Sequence, residues 1–169
     1  MRLLTILFLS AILSFSAFAQ SNKKAKPLAE TFIGTSIDKK EVNLSDLHGK
    51  VVLVTFWSTK CVICASDVPK LNKLAADYKD KDVVFLGLTV ENDDKVKQYL
   101  KKKAFDFILL PNSFGALLKY ADKDGDGNVT MGYPAHFLIN QKGEIELKTS
   151  GSGKTKQLDK QISSLLNTN

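Results

Sequence analysis

Apolar and polar residues fall into blocks along this chain, and each block has its own period. Leu3 to Phe18 is an apolar run broken only by Thr5, Ser10, Ser14 and Ser16. Val51 to Trp57 is a second continuous apolar run, rich in β-branched residues, as in a strand buried on both faces. After Cys61 the spacing changes: Val68, Leu71, Leu74, Ala75 and Tyr78 form a helical stripe, with Pro69 predicted to kink it. Val83 to Val90 reads as another buried strand. Asp93 to Lys103 reads as a helix with acids at its start and lysines at its end, as the helix dipole favours. Phe107 to Leu110 is a short apolar segment stopped by Pro111, and Ser113 is placed to cap a short helix through Tyr120. Ala135 to Ile139 and Glu144 to Thr149 read as a hairpin turned at Asn140-Gln141-Lys142-Gly143. Ser150-Gly151-Ser152-Gly153 is a flexible joint. Lys156 to Leu166 is a last helix, with Leu158, Ile162, Leu165 and Leu166 on one face.

Strands alternating with helices predict an α/β fold, a sheet flanked by helices. No internal repeat or second domain interrupts it. The first apolar run is separate. Arg2 precedes it, and Ala17-Phe18-Ala19 follows the small-x-small pattern of a cleavage site. Its length falls short of the roughly 20 residues of a spanning helix. Residues 1–19 are therefore read as a secretory signal, with an uncleaved N-terminal membrane anchor as the alternative. Residues 20–27 are a flexible lead-in and 28–169 the folded domain. An extracytoplasmic, periplasmic or similar location follows.

The 169 residues carry 44% hydrophobic and 25% charged positions, which excludes a disordered, coiled-coil or multi-span membrane chain. A net charge of +6 raises the question of nucleic acid. Arg2 is the lone arginine among 24 basic residues, and the lysines are dispersed, so no nucleic-acid partner is expected.

Cys61 and Cys64 are the two cysteines, in Cys61-Val62-Ile63-Cys64. A structural disulfide gains little from so short a loop, about 2 kcal/mol by the chain-entropy formula. In an exported chain this pair reads as redox-active. A zinc site would need a second ligand pair, and His48 and His136 are far apart. Cys61 falls at the junction of a central strand with a helix N-terminus. Unpaired backbone N–H groups and the dipole stabilise a thiolate there.

Leu44-Ser45-Asp46-Leu47-His48-Gly49-Lys50-Val51-Val52-Leu53-Val54, running into Phe56-Trp57 and Cys61-x-x-Cys64, resembles the opening of a known family. It is similar to the extracytoplasmic thiol-disulfide oxidoreductases of the ResA/TlpA type. Asp67 and Pro69 match the acid and proline downstream, and Pro134-Ala135-His136-Phe137-Leu138-Ile139 matches the later Pro-led strand. The resemblance implies a thioredoxin-like fold with a central mixed sheet and an N-terminal β extension. It implies that Cys61 attacks, Cys64 resolves, and no cofactor is needed beyond the Cys61–Cys64 disulfide. Pro134 is implied to be a cis-proline whose loop, with Tyr133, faces clients, and Trp57 to wall the pair, with core packing alone as the alternative for Trp57. Asp67 is implied to accept the Cys64 proton. As an ordinary first-turn helix acid its loss would instead cost under about 1 kcal/mol. Exported protein disulfides or thiols, c-type apocytochromes among them, are the implied clients, and a membrane thiol-disulfide donor the electron source.

Three departures stand out. Lys60 replaces the tryptophan usual before the first cysteine and puts a cation beside Cys61. The Val62-Ile63 dipeptide is greasier than usual. Asp122-Lys123-Asp124-Gly125-Asp126-Gly127-Asn128-Val129-Thr130 is an insertion that matches part of an EF-hand loop, though Tyr133 stands where its bidentate Glu belongs. Asp122, Asp124, Asp126 and Asn128 are thus calcium-ligand candidates, with a plain Asp/Gly turn as the alternative. Disulfide oxidant or isomerase is the rival direction for the pair. More distant rivals are a thiol peroxidase built on Ser58-x-x-Cys61, a copper carrier using Cys61, Cys64 and His136, and a calcium-binding interaction module.

Overall fold

A computed structural model describes residues 25–167. The signal expected at 1–19 lies outside the described residues, as does the lead-in up to residue 24. Among the described residues no helix is long and apolar enough to cross a membrane.

The chain opens with a short antiparallel hairpin, β1 (Ile33–Thr35) and β2 (Glu41–Asn43), followed by a 3-10 turn, Leu44–Leu47. Then come β3 (Val51–Phe56), α1 (Val62–Asp77), β4 (Val83–Leu88), α2 (Asp93–Leu100), β5 (Ile108–Leu110) and α3 (Phe114–Tyr120). A two-stranded excursion, β6 (Asp122–Lys123) and β7 (Val129–Thr130), precedes β8 (Ala135–Ile139), β9 (Ile145–Ser150) and α4 (Thr155–Leu166). The main sheet has the order β5-β4-β3-β8-β9. β3, β4 and β5 run parallel, and β8 and β9 are antiparallel to their neighbours, so the sheet is mixed. This is the α/β architecture that the pattern predicts, with β1–β2 as the N-terminal extension.

Strand alternation sorts the core into two layers. Val51, Leu53 and Trp57 of the β3 segment and Leu138 of β8 face α1 and α4, packing on Val68, Leu71, Leu74, Leu158 and Ile162. Val52, Val54, Phe56, Phe137 and Ile139 face the other way, onto Phe32, Leu44, Ala116 and Tyr120. β3 is buried at every position, which explains its unbroken apolar run.

The helix α1 runs through Pro69 as one 16-residue element, so the proline does not end it. Two local readings change. The helix α2 stops at Leu100, leaving Lys101–Lys103 in the turn beyond it. Ser113 does occupy the N-cap of α3, but its hydroxyl donates back to the Leu110 carbonyl at 2.9 Å instead of capping.

Candidate active site

The central strand β3 delivers the chain to the sheet edge at Phe56, and Trp57 still packs inward. Ser58, Thr59 and Lys60 turn the chain, and Cys61 is the N-cap of α1. Cys61 and Cys64 are joined as a disulfide. The Cys64 N–H donates to the Cys61 Sγ at 3.1 Å, so an otherwise unpaired helix-terminal donor already points at the sulfur that would carry a thiolate. Cys61 is half-buried and Cys64 only 3% exposed. Access therefore separates the two sulfurs: an incoming disulfide reaches Cys61, and Cys64 can act only from beneath. Between them Val62 is 82% and Ile63 46% exposed, an apolar rim beside the reachable sulfur.

Asp67 is not a first-turn surface acid. It lies beyond the first turn of α1, on the buried face, and is 3% exposed. Its Oδ1 accepts from the Ser152 hydroxyl at 2.8 Å and its Oδ2 from the Gly153 N–H at 2.9 Å. Thus the flexible joint between β9 and α4 is fastened to α1 through this carboxylate. It stands three positions after Cys64, which places both on one helix face.

Trp57, expected to wall the site against clients, is a core residue at 1% exposure. Its ring packs on Tyr99 and Phe105, with centroids 5.0 and 5.1 Å away, in the same cluster as Cys64. Alternation along β3 turns it inward, into the cluster that holds Cys64. The Tyr133–Pro134 peptide is cis. Pro134 is buried, and its carbonyl accepts from Gly151 N–H at 2.8 Å. Tyr133 is half-buried; burial and the nearby Glu91 charge both raise its phenol.

Glu91 is a site residue that the sequence reading missed. It accepts from the Thr59 N–H and hydroxyl, both at 2.7 Å, from the Thr89 hydroxyl at 3.1 Å and from the Ser58 hydroxyl at 3.3 Å. Partial burial pushes its carboxyl up, but the Thr59, Thr89 and Ser58 hydrogen bonds outweigh that and hold it below the ordinary range. A usable clue was present. β3 and β4 are parallel neighbours, so the residue just after β4 must stand beside the residues just after β3.

The carboxylates of the metal candidates Asp124 and Asp122 already have protein partners. Asp124 accepts from the Asp126 and Asn128 N–H groups and from the Asn128 side-chain amide, while Asp122 pairs with Lys148. The segment is a tight hairpin closed by its own backbone, as an Asp/Gly turn requires. His136, the third ligand of the copper reading, is 1% exposed within β8, and its Nδ1 lies 3.0 Å from the Thr55 hydroxyl. Among the described residues no group of three or more His, Cys, Asp or Glu side chains could hold a metal ion. Ser58, the peroxidase candidate, is held by Glu91.

Comparison with known proteins agrees with this geometry. Residues 20–165 match the family model described as Redoxin. The thiol-disulfide oxidoreductase ResA of Bacillus cereus is 27% identical over 167 residues, covering 95% of this chain and 92% of that one. A thioredoxin-family thiol:disulfide interchange protein from Chlorobium tepidum superposes with a TM-score of 0.70 at 23% identity, over 84% of this chain and 97% of its own. The thioredoxin domain of a thiol-disulfide oxidoreductase from Bacteroides vulgatus superposes with a TM-score of 0.67 at 25% identity, over 85% and 99%.

Proposed function

The chain belongs to the Redoxin family, as a ResA-like thiol-disulfide oxidoreductase with a Cys61–Cys64 pair, and from that premise we propose that it is an exported reductant of protein disulfides. The observation that carries this reading is the unequal access of the two sulfurs at the head of α1. Cys61, as thiolate, attacks a client disulfide and releases one client thiolate. The client stays joined through a mixed disulfide. Cys64 then gives up its proton and bonds to the Cys61 sulfur, and the second client sulfur leaves as thiolate. Two electrons pass from the dithiol to the client, whose two sulfurs each end with a proton. Asp67 is the proton acceptor for Cys64.

The clients are exported proteins, c-type apocytochromes among them, that present a disulfide beside an apolar segment. The exposed Val62 and Ile63 rim supports apolar contact, and the Tyr133–Pro134 loop forms the neighbouring wall. A membrane thiol-disulfide donor restores the dithiol. The site works outside the cytoplasm after cleavage following Ala19.

Equilibrating the Cys61–Cys64 pair against glutathione tests the direction. A pair more reducing than glutathione, together with turnover of insulin disulfides, is expected. A pair more oxidising than glutathione would reassign the protein as a disulfide oxidant.

A further inference from the structure

His136 is a buried imidazole that the redox chemistry above does not use. It sits two residues beyond Pro134 on β8 and is paired in register with Thr55 of β3. Alternation puts both side chains on the layer that faces α1 and α4, with Leu53, Trp57 and Leu138. Cys64 and Asp67 line the α1 side of the same layer. The groups facing the imidazole are therefore few. Asp67 comes from α1, Lys154 from the N-cap of α4, the Thr55 hydroxyl from β3, and neutral Thr149 is its register partner on β9. These polar groups lie on the same side of the sheet as Cys64, in an otherwise apolar core.

We propose that His136 acts through Asp67 as the second half of a buried acid–base pair, so that the proton leaving Cys64 is held jointly by the Asp67 carboxylate and the His136 imidazole. This rests on the reading of Cys64 as the resolving thiol. Making a thiolate at Cys64 on the same buried helix face as a carboxylate would put two like charges into a largely buried site, which is costly. Moving the proton onto the pair avoids that. With thiol, carboxylate and neutral imidazole the layer carries one negative charge. With thiolate and a protonated pair it still carries one.

Burial holds the imidazole well below its ordinary value, at about 4; the Asp67 charge raises it and the Lys154 charge lowers it. His136 therefore rests neutral at physiological pH, with room for a proton, and Asp67 is the partner that favours the imidazolium. The Thr55 hydroxyl fixes the ring through Nδ1. The Ser152 hydroxyl on Asp67 Oδ1 belongs to an exposed residue, which gives the pair a hydroxyl route to water for returning the proton. His136 is thus a positioning residue, since it acts on the sulfur through Asp67.

The test uses the reduced full chain, in excess over dithiobis-nitrobenzoate, in stopped flow. Attack by Cys61 releases one coloured thiolate and forms the aryl mixed disulfide; closure by Cys64 breaks that bond and releases the second. In His136→Asn the first phase should stay within about twofold of the unaltered protein. The second phase should slow roughly tenfold at neutral pH, with its pH profile displaced to the alkaline side. Asp67→Asn combined with His136→Asn should be no slower than Asp67→Asn alone. A second phase within twofold of the unaltered protein at every pH, or losses that multiply in the double variant, overturns the inference. If His136→Asn also loses the first phase, Thr55→Val, which keeps the imidazole and removes its hydroxyl partner, decides by the same criterion. A first phase that survives Cys61→Ser would sink the assignment of the cysteines instead, so the two failures are distinguishable.

Discussion

Glu91 and Thr59 are joined twice, the carboxylate accepting both the backbone N–H and the hydroxyl of Thr59 at 2.7 Å. Thr59 stands two residues before Cys61. The approach of the chain to its reachable sulfur is therefore set by a side chain from the neighbouring strand's end. Glu91→Ala would leave the Thr59 donors half-buried without that acceptor. A stability loss of about 1–2 kcal/mol and a slower Cys61 attack are expected, because the turn no longer holds the sulfur still. Urea denaturation and stopped-flow thiol release measure the two effects. Glu91→Gln, which retains an acceptor oxygen, should recover part of each.

Unequal access makes the cysteines non-equivalent in trapping. Cys64→Ser should accumulate clients as mixed disulfides on Cys61, since Cys61 is reachable and nothing remains to resolve the bond. Cys61→Ser should trap few, with Cys64 only 3% exposed. Mass spectrometry of trapped species from an exported-protein extract compares the two variants. Equal trapping would contradict the assignment.

Asp67 should prove structural as well as chemical. Its two oxygens fasten Ser152 and Gly153 to α1, so removing the carboxylate frees the β9–α4 joint from the helix and leaves a hole on its buried face. Asp67→Ala is expected to cost about 1–3 kcal/mol, above the sub-kilocalorie loss of a surface helix acid. Denaturant midpoints of the disulfide forms check this without interference from thiol chemistry. Insulin reduction by Asp67→Ala should slow beyond what its remaining folded fraction accounts for.

The contrast between Cys61 and Asp67 shows what local sequence carries. The strand-to-helix junction at Cys61 is written in consecutive residues: the apolar run of β3, a polar turn, then a helical stripe. Every element of the main sheet is legible for the same reason, because its period is local. Asp67 looks like any helix acid until α4 is placed, since its partners lie 85 and 86 residues away. Trp57, close to the cysteines along the chain, is by sequence either a wall beside the pair or core packing, and strand alternation places it in the core. The acidic insertion imitates an EF-hand by spacing, but the carboxylates close their own turn or reach Lys148, which spacing cannot encode. Glu91 became visible only when the parallel partner of β3 brought it beside the site, and His136, named from sequence only as a copper-ligand candidate, gained its buried place from the antiparallel partner.

The buried imidazole should also write itself into acid stability. His136 has a value of about 4 in the folded chain, lowered chiefly by burial, against 6.5 for an ordinary histidine. Between those two values the unfolded chain binds a proton that the folded chain refuses. Stability must therefore fall as pH drops from about 6.5 towards about 4, and this contribution levels off below the folded value. The shift corresponds to roughly 3 kcal/mol at most. Glu91 adds a second loss at lower pH. Its depressed carboxyl contributes stability above the ordinary carboxylate value, and that is lost as pH falls through the folded value. The two effects separate by substitution. His136→Asn should flatten the melting temperature between pH 6.5 and pH 4 and leave the more acidic limb in place. Glu91→Gln should make that acidic limb shallower and leave the upper window unchanged, since the depressed carboxyls of Asp93 and Asp124 remain. Thermal unfolding of the oxidised protein at closely spaced pH values reads both. A His136→Asn curve parallel to the unaltered one across that upper window would mean that the imidazole is not held neutral by its burial.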